Sequence, residues 1–112
     1  MIFIDWIPTN ITYNGHEFFF IKNRQDNGSW YNWVCILESQ KIADEFESII
    51  TFTDKDRKDV IMYRGNVISI DVSKIDRPKI EGSVLLFQDS MVRKIWNQDD
   101  QKINYKITVQ KK

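Results

Sequence analysis

The chain holds one histidine and one cysteine, His16 and Cys35. Any Ser-His-Asp or Cys-His chemistry must therefore use His16. Glu17 follows it directly, but neighbours on a strand point to opposite faces and cannot act together. His16 reads as a surface or strand-start residue. Cys35 lies in the apolar run Trp33-Val34-Cys35-Ile36-Leu37, where burial raises a thiol's pKa and leaves it inert. One Cys and one His also fall short of the four ligands that a structural zinc site takes.

Asp54, Asp56 and Asp59 suggest the start of a calcium loop. Lys55, Arg57 and Lys58 are interleaved with them, the sixth position is Asp59 rather than glycine, and the twelfth is Gly65 rather than glutamate. This stretch reads as a solvated charged loop, and Asp99-Asp100 is too short to carry a metal. Phosphate-binding glycine loops and the GxSxG nucleophile turn do not occur. Carboxylate-only chemistry such as glycoside hydrolysis leaves no motif, but 112 residues leave little room for a substrate cleft. The expectation is a protein that is not an enzyme, with no catalytic residues, no metal and no cofactor.

The aromatic residues are the other candidates. "GSWYNWVCIL" packs Trp30, Tyr31 and Trp33 into four positions before an unbroken apolar run. Such rings serve as stacking platforms for bases when cations flank them, or as anchors in protein interfaces. The basic neighbours exist: Phe20 with Lys22 and Arg24; Arg93 and Lys94 with Trp96; Tyr105 with Lys106, Lys111 and Lys112. Against the nucleic-acid reading stands the charge balance. Lys+Arg and Asp+Glu are 16 each, so no global positive field attracts phosphates.

The elements that position these residues follow mainly from period-two patterning. Ile2 to Ile7 alternates before Pro8-Thr9-Asn10 breaks the run. His16–Lys22 and Trp30–Glu38 read as strands around the turn Asp26-Asn27-Gly28, most simply a hairpin. Tyr31, Trp33, Cys35 and Leu37 would share a core face. Trp30, Asn32, Val34 and Ile36 would share a second face that also needs cover. Ser39 is placed to cap a helix running to about Ser48, followed by a strand through Phe52, although Phe46, Ser48, Ile50 and Phe52 also fit a strand. Val60–Arg64 and Val67–Val72 read as strands around a Gly65-Asn66 hairpin turn. Val84–Phe87 reads as a strand, Gln88-Asp89-Ser90 as a turn into a strand Met91–Trp96, and Asn97–Gln101 as a polar loop. The last strand buries Ile103, Tyr105, Ile107 and Val109 and wets its other face.

These elements predict one domain over residues 1–112. It is an α+β, β-rich fold: a mostly antiparallel curled sheet or small barrel with one short helix. A lone cysteine cannot form an internal disulfide. MIFIDWIP lacks a basic region and is interrupted by Asp5, unlike a signal peptide. No apolar run reaches the roughly 18–20 residues of a membrane span. The expectation is a cytoplasmic protein without a membrane partner.

The function expected is a non-catalytic protein-binding module. Small inhibitor or immunity proteins, which neutralise a toxin by covering its active site, have this size and plainness, and the Ile, Lys and Asn content suits a bacterial AT-rich gene. The alternative is a single-stranded nucleic-acid-binding β-barrel domain. If Tyr31 and Trp33 belong to the core, the partner should use rings at strand ends. Trp30 would do so with Arg24 and Asp26 as its rim. Trp96 would do so with Lys94, Asp99 and Asp100.

Overall fold

Asn14 (φ 56) and Gly15 (φ 78) are two successive residues with positive φ, the backbone that a two-residue hairpin requires. They join β1 (Thr9–Tyr13) to β2 (His16–Arg24) in antiparallel register, Tyr13 opposite His16. The computed structural model in which this is seen describes residues 9–56, 58–69, 83–98 and 101–112. The expected strand at Ile2–Ile7 lies outside these residues.

The second turn is the expected one. Gly28 adopts φ 86, its N–H donates to the Gln25 carbonyl, and the Asn27 side chain accepts from Ser29 N–H. β3 (Ser29–Ile36) then returns along β2, Phe18 opposite Ile36 and Arg24 opposite Trp30. Ser39 caps a helix by accepting from Ile42 N–H, but α1 (Gln40–Ala43) is one turn long rather than reaching Ser48. Phe46, Ser48, Ile50 and Phe52 are all buried with period two on β4 (Phe46–Thr53). That strand gains backbone bonds on both sides, which a longer helix would forfeit.

β4 is flanked by β5 (Asp59–Asn66) and by β9 (Lys102–Lys111), both antiparallel to it. The expected Gly65-Asn66 hairpin does not form. The chain passes straight through, with Val67 buried, and β6 (Ile68–Ser69) pairs in parallel with the end of β3. Val67 thus carries the chain from one sheet into the other. β7 (Leu85–Gln88) pairs antiparallel with the start of β3. The expected strand Met91–Trp96 is corrected: α2 (Asp89–Ile95) is a two-turn helix. Val92 and Ile95, three apart, both enter the core, a helical spacing that outweighed local alternation. β8 (Trp96–Asn97) pairs briefly with β9.

The result is β-rich and mostly antiparallel, as the patterning predicted. One sheet runs β1-β2-β3-β6 with β7 also on β3, and the other runs β5-β4-β9-β8. Their facing sides share one aromatic core. Phe18 meets Phe46 edge-on at 5.1 Å, Phe20 tilts against Tyr105 at 5.0 Å, and Phe52 meets Phe87 edge-on at 5.3 Å. On β3 the main core claims Trp30, Val34 and Ile36. This reverses the expected ranking of the two faces. Trp33 and Cys35 form a second, smaller cluster with Ile68 on the other side of the sheet, with Phe19, Ile21, Tyr31 and Val84 against it. Leu37, expected with that face, is 48% exposed. β9 follows the expected alternation in part: Ile103 and Val109 are buried, Tyr105 and Ile107 are only partly buried against the core, and Lys106 and Thr108 are exposed while Asn104 and Gln110 are half-buried.

Candidate functional site

The two groups expected to bind a partner stand at opposite ends of α2. At its start, Asp89 ties three elements together. Arg24 donates through Nε to Asp89 Oδ1 at 3.0 Å and through Nη2 to Oδ2 at 2.7 Å. The Trp30 indole donates to Asp89 Oδ1 at 2.6 Å. Asp89 N–H donates to the Gly28 carbonyl at 2.9 Å. The bidentate guanidinium, and then the indole, hold the Asp89 carboxyl at about 2. The same carboxylate raises the Arg24 pKa, with a smaller contribution from Asp26.

This geometry corrects the expected exposure of Trp30. Its ring is 3% exposed and lies stacked with Phe87, centroids 6.2 Å apart. It locks the β2–β3 turn onto α2 and offers no face to a partner. Arg24 is occupied by the same latch, while Asp26 is exposed on the turn. Asp89, at the centre, belongs by its sequence neighbours to a turn, and the structure places it in the first turn of α2 instead. The helical spacing of Val92 and Ile95, preceded by an acid in the first turn, was the available signal.

At the other end, about 10 Å along the helix by its rise per residue, Trp96 is half-buried and packs against the main core. Its outer side helps line an open groove of about 570 Å³ with Asp54, Lys55, Asp56, Val60, Arg93, Lys94 and Gln98. Three separate segments build this groove: the β4–β5 loop, the start of β5 and the end of α2. The pairing of β4 with β5 slips between Phe52 and Thr53, with Phe52 opposite Ile61 but Thr53 opposite Asp59. Val60 is therefore the extra residue of a β-bulge, a device that re-aims a side chain. Here it sends an exposed valine to the groove. Asp54 shapes the loop by accepting from the N–H groups of Asp56 and Lys58, both at 2.9 Å. Lys94 thus stands beside Trp96 as expected, whereas Asp99 and Asp100 lie outside the described residues. Lys55, Asp56 and Val60 were not expected at the site, because the loop and α2 meet only in the folded chain.

The remaining candidates are dispersed. His16 accompanies Glu38 at 3.4 Å and leans edge-on against Phe46. Cys35 is buried on the opposite face of that sheet. Among the described residues no three His, Cys, Asp or Glu side chains converge as metal ligands. Phe20 is buried, and Lys22 lies 4.0 Å over the Tyr105 ring, whose hydroxyl is hydrogen-bonded to Thr9. These groups are engaged with one another rather than aligned as a stacking strip. No described helix is long and apolar enough to cross a membrane. No protein-family model matches the chain, and no curated protein is similar to it at a significant level.

Proposed function

We propose that the protein is a non-catalytic protein-binding module that seats its partner in the Trp96 groove. The carrying observation is the convergence of a half-buried tryptophan with a bulge-presented valine, inside a border of mixed charge. Interfaces are built this way, from a ring anchored in the fold, a small apolar centre and a polar rim. Met62, two residues beyond Val60 and 67% exposed, extends the apolar surface along β5. An inhibitor or immunity protein is the particular form in which the partner is a toxin and the groove region covers its active site.

The test is affinity capture from the native host with the parent chain and with Val60→Glu and Lys94→Glu. Both positions are exposed, so both variants should keep the parental circular dichroism and thermal midpoint. The expected result is one principal protein partner whose affinity falls by about thirtyfold, or 2 kcal/mol, in a variant that removes an anchor contact. Folded variants that capture the same partner with parental affinity would remove the groove from the interface. A captured toxin whose activity is lost on binding would identify the inhibitor form.

A further inference from the structure

We infer that the groove receives an acidic peptide segment of the partner, one carrying an apolar side chain beside its carboxylates; this rests on the protein-binding reading above. The charge of the groove is the first ground. Lys55, Arg93 and Lys94 line it, and among the described residues none of the three is in a salt bridge. Arg93 and Lys94 close the last turn of α2. Asp54, by contrast, already spends one oxygen on two backbone N–H groups of its own loop. The groove therefore offers unpaired cations against one committed and one exposed carboxylate, which is complementary to an anion.

The second ground decides which anion. A nucleic-acid backbone presents acceptor-only phosphates at every step and would have to run past Asp54 and Asp56. A peptide alternates groups. Its carboxylates can meet Lys55, Arg93 and Lys94, while its backbone N–H groups donate to Asp56. The ring of Trp96 and the methyls of Val60 then contact the apolar side chain between those carboxylates. The volume of about 570 Å³ admits a few side chains, in the ordinary range for a ligand site. The bulge at Val60 interrupts the regular ladder of β5, so the segment is held through side chains rather than added as a further strand.

The experiment selects short peptides from a random display library on the full chain. The best are then measured by fluorescence anisotropy against the parent, an Arg93→Glu/Lys94→Glu double variant, and, as a control, Lys111→Glu, which is exposed and stands opposite Phe46 at the end of β4 away from the groove. The expected outcome is a selected set rich in Asp and Glu around a Leu, Ile, Phe or Trp. Binding should weaken about tenfold or more in the double variant and at raised salt, and stay parental in the control. Failure to select any peptide, a set without acidic excess, or acidic peptides that bind the double variant normally would each overturn the inference. So would displacement of the peptide by a thymidine oligonucleotide at equal concentration. If the selected peptides are neutral yet Val60→Glu still abolishes partner capture, the acidic-segment inference fails while the protein-binding reading stands. If acidic peptides bind as expected but partner capture ignores Val60→Glu and Lys94→Glu, the groove is an acidic-peptide site but not the partner's seat, and the inference falls with the reading on which it rests.

Discussion

Asp89 is the residue that ties three elements together, and its protonation should be visible in stability. Its carboxyl sits at about 2 in the folded chain, against an ordinary 3.8. A depressed carboxyl stabilises the fold fully above its ordinary value and loses that contribution as pH falls towards the folded value. The window here runs from about pH 4 down to about pH 2. Urea midpoints of the parent should therefore drop more steeply across that window than those of Asp89→Asn, which keeps an acceptor for Trp30 but no charge for Arg24. Parallel pH profiles would mean that the latch does not couple to folding. Gly28 faces the same carboxylate. A Cβ there would stand 2.8 Å from Asp89 Oδ2, on a backbone with φ +86. Gly28→Ala should cost about 1–2 kcal/mol from the left-handed backbone alone, and more if the latch is displaced. An unchanged urea midpoint would contradict that geometry.

The two-faced strand β3 sets the energetics at the scale of elements. Its Trp30 face joins the core between the sheets, and its Trp33 face builds the second cluster with Cys35 and Ile68. Both rings are buried, so neither face tolerates truncation. Trp33→Ala should destabilise by about 3–5 kcal/mol, the range for deleting a large buried aromatic. Its indole N–H has no hydrogen-bond partner among the described residues, so no lost hydrogen bond adds to that figure. The denaturation midpoint measures it. A soluble Trp33→Ala protein of parental stability would place this ring on the surface and dismantle the second cluster.

The whole molecule places most of its described aromatic rings between its sheets, and this bears on nucleic acid. Trp30 and Trp33 are buried, and Tyr105 is committed to Thr9 and Lys22. With equal numbers of acidic and basic residues, no global positive field draws phosphates in. No oligonucleotide should bind more tightly than about 10 μM at physiological salt, where non-specific binding already reaches 10⁻⁴–10⁻⁶ M for basic proteins. Titration of tryptophan fluorescence with single-stranded DNA measures this. Submicromolar, salt-sensitive quenching would transfer the groove of Trp96, Arg93 and Lys94 to the single-strand reading.

Local rules were enough wherever a residue's own backbone or immediate alternation decides the outcome. The Asn27-Gly28 turn, the β2–β3 hairpin, the Ser39 cap and the alternation of β9 all follow from neighbours within a few positions. Asn14-Gly15 belongs with them. It is a strong hairpin signal that Pro8 obscured by suggesting a break instead of a strand beginning at Thr9. Tertiary structure decided where alternatives were locally balanced. The Phe46 segment becomes strand because β5 and β9 bond it on both sides, and β9 is remote in sequence. Met91–Ile95 becomes helix because the core accepts Val92 and Ile95 at helical spacing. Gly65-Asn66 runs straight because Val67 must carry the chain to β3. The candidate site divides in the same way. Trp96 beside Lys94 is visible in the sequence, the two being only two positions apart. The burial of Trp30 against Asp89, and the meeting of Trp96 with Lys55 and a bulged Val60, join residues about 35–60 positions apart. Such contacts form only when long-range burial outweighs the entropy of closing large loops, and no local pattern encodes them.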